Sequence, residues 1–336
     1  MSINLRSYLE TQSDRTEALL AAHSAPARIT GGTVGPRLIR LFLNPAPHTR
    51  FATIQGLTDD LALALRVPSL RIGRGDEGVI LEMPNPHPRP VSLSQLLPEV
   101  APLPHLTAML GLTDAGVPLL ARLSSPDVAH VLVSGATGSG KSALLRTMAV
   151  SLVLSQSAAD LRLLCLDPQG RTFGSLVDAP HLLRPPVVET HEALEALRSL
   201  LREMEIRDRR NEDAPAIVLL VDELVDLVSQ SESAVLQALT QLVQRGHETG
   251  IHVVAATQRP SSAILSGLLR ANFPLRLVGK VVSAEDARVA AGRAKTDAHL
   301  LSGRGDFLAV GGSATPIRFQ VAFIKERDAR KKIAQL

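Results

Sequence analysis

The feature that most constrains this chain is the glycine-rich segment 135–142, GATGSGKS, which matches the pattern G-x-x-x-x-G-K-[ST]. A strand-like apolar run, His130–Ser134, precedes the segment, and a helical pattern, Ser142–Leu154, follows it. In that context the glycines let the backbone turn its N–H groups inward around phosphate oxygens, and the helix N-terminus adds its dipole. A chance glycine-rich turn is the alternative, but the flanking strand and helix favour a phosphate-binding loop.

Individual side chains of this loop have distinct tasks in nucleotide chemistry. Lys141 would reach the β- and γ-phosphates, and Ser142 would bind Mg²⁺. Because Mg²⁺ takes few protein oxygens, one hydroxyl and one carboxylate suffice to hold it. The predicted nucleotide-binding set comprises Gly135, Thr137, Gly138, Ser139, Gly140, Lys141, Ser142 and Ala143.

A second motif supplies the carboxylate. The run Ala216–Val221 is wholly apolar, and Asp222 and Glu223 follow it directly. In a parallel sheet this strand would carry both residues to the carboxyl edge, where the phosphates lie. Asp222 would hold Mg²⁺ through water and Glu223 would polarise the attacking water, which favours hydrolysis. Two carboxylates capping a helix N-terminus are the alternative interpretation.

Alternating strand and helix patterns from about residue 105 predict the fold class. Strand-like runs are His130–Ser134, Leu161–Leu166, Ala216–Val221, Ile251–Ala256 and Leu275–Val282, and helical stretches are Ser142–Leu154, His191–Ile206, Ala234–Gly246 and Ser262–Arg270. Short strands joined by helices indicate an α/β fold, a parallel sheet with helices on both faces. Gln258 follows one of these strands, so its amide is placed to sense the γ-phosphate, unless it is a plain turn residue.

The first hundred residues have a different pattern. A helical lead-in is followed by short strands, a short helix and a turn, GRGDEG, and then by two proline-rich segments near residues 84–104. We therefore predict a small α+β domain over residues 1–104 and the phosphate-loop domain over residues 105–336.

Composition excludes several classes of protein. The single cysteine, Cys165, rules out a disulfide framework and metal sites built on several thiolates. Aromatic residues make up only 2% of the chain, which argues against a single-strand binder that stacks bases on rings. No apolar run approaches the ~18–20 residues that span a bilayer. Since the N-terminus also has no apolar signal core, we expect a cytoplasmic protein without membrane insertion.

Charge is unevenly distributed along the chain. Residues 261–336 carry 13 basic and 6 acidic side chains, whereas residues 101–260 carry 13 basic and 18 acidic ones. A basic C-terminal quarter suits a polyanion, although a solvated basic tail has the same composition.

An ordered series of segments resembles the motor of FtsK/SpoIIIE-type DNA translocases, in the HerA–FtsK branch of P-loop ATPases. The series includes GPRLIRLFLNPAP, GLTDDLALAL, VILEMPNP, HVLVSGATGSGKS, LLCLDPQG, APHLLRPPVVET, IVLLVDELVDL, TGIHVVAATQRPS, LLRANFPLRLVGKVVSAEDAR and LLSGRGDFL, and it covers roughly residues 31–324. The resemblance implies a small α domain, then a RecA-like ATPase domain. It also implies a homo-hexameric ring that moves double-stranded DNA with ATP and Mg²⁺.

By this likeness Glu223, Lys141 and Gln258 serve hydrolysis, and an arginine acts across the subunit interface. Where the family has a candidate arginine this chain has His247, so Arg245 is the first candidate, with Arg276 and Arg288 as alternatives. The candidate DNA contacts are Arg207, Arg209, Arg210, Ser262 and Arg270. The last two belong to the segment SSAILSGLLR, which links Gln258 to the expected pore. For the arginine cluster, a charged helix end is an equally good explanation.

The chain shows neither the membrane-anchored N-terminal region nor the C-terminal winged-helix module of the family. We therefore expect the motor of a DNA-processing, transfer or defence system, with a nuclease or other DNA-processing partner. The alternative is a coupling ATPase that moves a protein substrate in a secretion-type system, because secretion motors share this branch.

Overall fold

The computed structural model describes residues 3–75, 78–230, 232–260, 267, 271–312 and 315–336. The chain divides into two compact units, one of Met1–Pro90 with Asp114–Gly116 and one of Val91–Thr113 with Val117–Leu336. The sequence places the domain boundary near residue 104, whereas residues 91–104 lie in the second unit. The reason is pairing: Val91 and Ser92 form a short strand beside residues 322 and 323.

An antiparallel sheet organises the first unit. Its elements are α1 (Ile3–Ala22), β1 (Ala27–Val34), β2 (Leu38–Pro45), α2 (Phe51–Gly56), α3 (Thr58–Leu65), β3 (Arg71–Gly75) and β4 (Gly78–Pro84). The strand order is β1-β2-β4-β3. Alternate residues of β2 and β4 are buried, which gives the sheet one apolar face. That face packs on Leu20, Ile54, Leu61 and Leu65 of the helices and completes the predicted small α+β unit.

The second unit contains the phosphate loop. Its strands are β5 (Val91–Ser92), β6 (Thr107–Thr113), β7 (Pro118–Arg122), β8 (Val131–Ser134), β9 (Leu161–Leu166), β10 (Ala216–Val221), β11 (Ile251–Thr257), β12 (Leu275–Gly279), β13 (Asp306–Gly311) and β14 (Ile317–Phe323). Its α-helices are α4 (Leu93–Val100), α5 (Lys141–Ser155), α6 (Thr190–Arg210), α7 (Leu224–Gln230), α8 (Glu232–Arg245), α9 (Ala284–Ala291) and α10 (Glu326–Ile333). Short 3₁₀ helices cover Gly174–Leu176, Gly246–Thr249 and Ala298–Leu300.

The main sheet is mixed. Its order is β7-β6-β14-β13-β12-β8-β11-β10-β9, and β5 pairs with β14. The strands from β12 to β9 are parallel, as the sequence predicts, whereas β13, β14, β6 and β7 extend the sheet in antiparallel fashion. β10 and β11 are buried along their whole length because core clusters cover both faces, which explains their unbroken apolar sequences. Among the described helices, none has the length and apolar content of a bilayer-spanning segment.

Strand register aligns the ends of the parallel strands. Thr257 of β11 lies opposite Ser134 of β8, and Val221 of β10 lies opposite both Ala255 of β11 and Leu166 of β9. The residues that follow these strands therefore emerge at one edge of the sheet. This alignment is what brings the phosphate loop and the polar residues after β10 and β11 together.

A cluster of histidines lies at the opposite, amino end of the same strands. His130 and His252 are each 3% exposed, and their ring centroids are 6.3 Å apart, with His247 5.7 Å from His252. The Val253 N–H donates to His130 Nδ1 at 3.0 Å, so this nitrogen carries no proton. Burial, together with the neighbouring imidazoles, lowers the pKa of His130 to about 3. Burial also lowers the pKa of His252 to about 4.

Acidification is expected to destabilise the second unit through these histidines. Both pKa values lie below the unfolded value of about 6.5, so the unfolded chain binds more protons as the pH falls from about 6.5 to 4. The free energy of unfolding should then fall by on the order of 1–3 kcal/mol per pH unit. Urea denaturation at pH 7 and pH 5 measures this loss. In His130→Asn, whose side-chain oxygen can accept from Val253, the loss should shrink; the exposed-site control His48→Asn should keep it. Equal pH dependence in His130→Asn and the wild type would contradict this assignment.

Candidate active site

Two glycines in the loop after β8 are required by its geometry. Gly138 and Gly140 have φ values of 78° and 110°, in the left-handed region that favours glycine. A Cβ on Gly140 would lie 2.7 Å from the backbone nitrogen of Gly305, so a side chain cannot fit there. The loop therefore reaches the N-terminus of α5 through backbone conformations that residues other than glycine rarely adopt.

A second glycine-rich segment, the strap formed by residues 302–305, runs beside this loop. The N–H groups of Arg304 and Gly305 donate to the carbonyl oxygens of Gly138 and Ser139 at 3.0 and 2.6 Å. Satisfying the loop's carbonyl oxygens in this way suits a loop whose N–H groups serve an anion. The strap thus holds the loop through two backbone hydrogen bonds.

A buried ion pair anchors the strap. Arg318 donates to both carboxylate oxygens of Asp306 at 2.9 and 2.8 Å, and the two side chains are 10% and 7% exposed. The Ser302 N–H donates to the same carboxylate at 2.8 Å. Sequence reasoning assigned no task to this segment; the glycines on both sides of Arg304 were the available signal.

Lys141 lies beneath the loop. Its Nζ donates to the carbonyl oxygen of Gly135 at 2.8 Å and to that of Ala136 at 3.3 Å, and the residue is 7% exposed. Burial lowers the pKa of Lys141, and the carboxylates of Glu223 and Asp222 oppose that shift. The ammonium group therefore sits where it can exchange these carbonyl contacts for phosphate oxygens.

Ser142 and Asp222 meet at the carboxyl edge of the sheet. The Ser142 hydroxyl donates to Asp222 Oδ2 at 3.0 Å, and the Thr172 hydroxyl donates to the same oxygen. A hydroxyl beside a carboxylate offers the hard oxygen ligands that Mg²⁺ prefers. The residues present therefore fit the ion that a phosphate loop implies, and Ser142 and Asp222 are the residues that would hold it.

Glu223 lies next to this pair, in a strained backbone conformation with φ of 62°. It is 5% exposed; its Oε1 accepts from the Gln258 N–H at 3.2 Å, and its Oε2 has no hydrogen-bond partner among the described residues. Burial raises the pKa of Glu223. The side chain of Gln258 in turn accepts from the Thr137 hydroxyl at 2.7 Å. One amide residue thus contacts both the phosphate loop and the carboxylate.

The arginines at the end of α6 separate into two kinds. Arg207 is 3% exposed and donates to Glu203 at 2.8 Å and to the Thr249 carbonyl oxygen at 3.0 Å. Arg207 holds α6 against the turn before β11. Because its guanidinium group is buried and hydrogen-bonded within the protein, it is not available to contact DNA. Arg209 and Arg210 are exposed.

The candidate arginines for action between subunits lie outside the nucleotide site of their own chain. Arg245 ends α8 near the amino end of β11 and pairs with Asp208 at 2.6 Å. Arg288 pairs with Glu285 on the surface of α9, and Arg276 lies on β12. Ser262 and Arg270, the other predicted DNA contacts, fall outside the described residues.

Sequence reasoning missed Thr172. It follows the Asp-Pro-Gln-Gly turn after β9, and its hydroxyl reaches Asp222, fifty residues further along the chain. The available signal was its position just after the end of a parallel strand, where polar residues meet the site.

Two family models match the chain. The FtsK/SpoIIIE family matches residues 103–210 and 206–262, and the FtsK alpha domain matches residues 2–85. The chain is 30% identical to DNA translocase SftA of Bacillus subtilis (strain 168) over 98% of its length. It is 32% identical to DNA translocase FtsK of Bacillus anthracis over 95% of its length. It covers 37% and 44% of these two proteins, so it spans about two fifths of these curated relatives.

Solved structures share the fold at lower identity. The conjugation coupling protein TcpA of pCW3, in a monomer form with ATPγS, has a TM-score of 0.67 and 18% identity, covering 97% of this chain and 99% of that one. The cytoplasmic domain of the Thermomonospora curvata type VII secretion ATPase EccC has a TM-score of 0.62 and 23% identity, covering 74% and 34%. The family matches, the ordered motifs and the P-loop ATPase fold agree with the resemblance seen in the sequence: the chain belongs to the FtsK/SpoIIIE family.

Proposed function

We propose that this chain is an ATP-hydrolysing motor that moves double-stranded DNA. The observation that carries the proposal is the contact set at the carboxyl edge, in which Ser142 touches Asp222 and Gln258 touches both Glu223 and the phosphate loop. These groups are the ones that binding and hydrolysis of a nucleoside triphosphate require. Relatives named DNA translocases, 30–32% identical over nearly the whole chain, support DNA as the substrate that is moved.

Hydrolysis is assigned to residues of the phosphate loop and to those that follow β10. Ser142 and Asp222 would hold Mg²⁺, which would neutralise charge on the phosphates. Lys141 exchanges its loop carbonyls for β- and γ-phosphate oxygens. Glu223 orients a water molecule and takes its proton through Oε2, which has no partner in the described part of the chain. Its raised pKa suits this task because a base works best when its pKa approaches the working pH.

Coupling of hydrolysis to motion is assigned to Gln258. Its side chain contacts Thr137 of the phosphate loop, and its backbone contacts Glu223. Loss of the γ-phosphate therefore changes a contact at the base of the segment 261–270. This segment contains Ser262 and Arg270, which stay proposed as DNA contacts.

A homo-hexameric ring accounts for the remaining candidates. In such a ring, an arginine of one subunit would contact the nucleotide bound by the neighbouring subunit. The candidates for this arginine are Arg245, Arg276 and Arg288. The ion pairs of Arg245 and Arg288 are solvent-exposed, and such pairs contribute little, so either arginine can exchange its carboxylate for a phosphate. The exposed Arg209 and Arg210 stay proposed as DNA contacts.

Double-stranded DNA should stimulate the ATPase activity. Contacts of arginine and lysine with phosphates release counterions, so the stimulation should fade steeply between about 50 and 200 mM salt. Steady-state phosphate release with and without a random-sequence duplex measures the effect, and the basal rate at each salt concentration is the control. Equal rates with and without DNA, in a protein shown to be assembled, would count against a DNA motor.

A coupling ATPase that moves protein is the second candidate. The likeness to EccC is below 25% identity and is one of fold. In the same assay, stimulation by a protein substrate but not by duplex DNA would favour this candidate.

A further inference from the structure

We propose that Thr172 is a positioning residue of the metal site, which orients the Asp222 carboxylate toward the Mg²⁺ that Ser142 binds. This inference rests on the proposed nucleotide chemistry and extends it to a loop that has no assigned task. The central observation is that the hydroxyls of Thr172 and Ser142 both donate to Oδ2 of Asp222.

Thr172 is held rigidly on both sides of its side chain. Its backbone N–H donates to Asp167 Oδ2 at 2.7 Å, and its carbonyl oxygen accepts from Arg146 Nε at 3.0 Å. Arg146 also donates to the Arg171 carbonyl oxygen at 3.0 Å. Because Arg146 lies on α5, the helix that begins at the phosphate loop, the threonine is fixed to the same element as Ser142.

The hydroxyl of Thr172 is buried and donates to Asp222. Thr172 is fully buried, and Phe173 beside it packs into the main core. Most buried hydroxyls have a hydrogen-bond partner, and the Asp222 carboxylate is the partner of Thr172. Two donors on one oxygen restrict rotation of the carboxylate, and that restriction keeps the ligand geometry ready for a small ion that tolerates little distortion.

A packing role is distinguishable within the same loop. Ser175, three residues further on, is also fully buried, but its hydroxyl has no hydrogen-bond partner among the described residues. Ser175→Ala therefore removes a buried hydroxyl from this loop without changing the metal site. It is the matched control for Thr172→Val, which removes the hydroxyl and keeps the shape of the side chain.

The test follows binding of a fluorescent, non-hydrolysable ATP analogue to the full chain, first in EDTA and then with increasing Mg²⁺. Loss of an outer partner of a metal ligand usually costs about 10–100-fold in metal affinity. We expect Thr172→Val to raise the half-saturating Mg²⁺ concentration about 10-fold or more and to leave the affinity in EDTA within about twofold. Thr172→Ser and Ser175→Ala should titrate like the wild type.

A double-mutant cycle with Asp222→Asn tests whether Thr172 acts through Asp222. In that background Thr172→Val should produce no further shift; a second, additive loss would overturn the inference. Wild-type Mg²⁺ dependence in Thr172→Val would overturn it as well. If Thr172→Val does not fold, Thr172→Ser and Thr172→Ala repeat the comparison, because they differ only in the hydroxyl. A wild-type chain that binds no nucleotide would instead refute the proposed function, and this inference with it.

Discussion

Replacing Lys141 with alanine should abolish nucleotide binding and reduce ATP hydrolysis by at least about 100-fold, the usual cost of losing a charge that stabilises a transition state. The ammonium group is nearly buried beneath the phosphate loop, 2.8 Å from the Gly135 carbonyl oxygen. Lys141→Ala removes this ammonium group from beneath the loop. Equilibrium binding of a fluorescent ATP analogue and steady-state phosphate release measure the two effects.

The matched control for this variant is Lys331→Ala, which removes an exposed lysine from α10. It should bind and hydrolyse ATP like the wild type. Thermal unfolding of both variants separates a local loss of function from misfolding. Wild-type affinity in a folded Lys141→Ala protein would show that the lysine does not contact the nucleotide.

Glu223→Gln should keep nucleotide binding and lose about 100- to 10,000-fold in the rate of hydrolysis, the range expected for removal of a general base. The amide preserves shape and an acceptor for the Gln258 N–H, but it cannot take a proton from water. Because the motor then stays loaded with ATP, it should accumulate on DNA. Single-turnover hydrolysis and a DNA-retention assay measure the two results.

Asp226→Asn is the control for that substitution, because it makes the same kind of change on the neighbouring helix. The Asp226 side chain accepts from Gln169, and its charge makes only a minor contribution to the raised pKa of Glu223, which burial dominates. Its ATPase rate should stay within a fewfold of the wild type. If Glu223→Gln turned over at the wild-type rate, the base would have to be another residue.

Local sequence was enough to predict the parallel half of the main sheet. The predicted bounds of β9 and β10 coincide with the observed ones, Leu161–Leu166 and Ala216–Val221. Strands buried on both faces have unbroken apolar sequences, and this signal needs no knowledge of the partner. The antiparallel extension was not predicted, because β6 pairs with β14 across some two hundred residues, and no local pattern indicates such a pairing.

The functional site shows the same separation between residues that local sequence predicts and contacts that only the fold brings together. The residue types at Lys141, Ser142, Asp222 and Glu223 predict phosphate chemistry because each follows a recognisable strand or loop. Arg207 was a candidate DNA contact from the sequence, yet its guanidinium group donates to the Thr249 carbonyl oxygen, forty-two residues away. No local pattern reports such a contact.

The sequence alone determined that this chain has a phosphate loop at the end of a buried parallel strand, a carboxylate pair after a second one, and membership of the FtsK/SpoIIIE family. The tertiary structure decided which arginine is buried, that a strap from residues 302–305 holds the loop, and that Thr172 reaches Asp222. The physical reason is the distance along the sequence between the residues that interact. A strand and the turn after it are specified by consecutive residues, whereas hydrogen bonds between buried groups depend on which distant segments the packed core brings into contact.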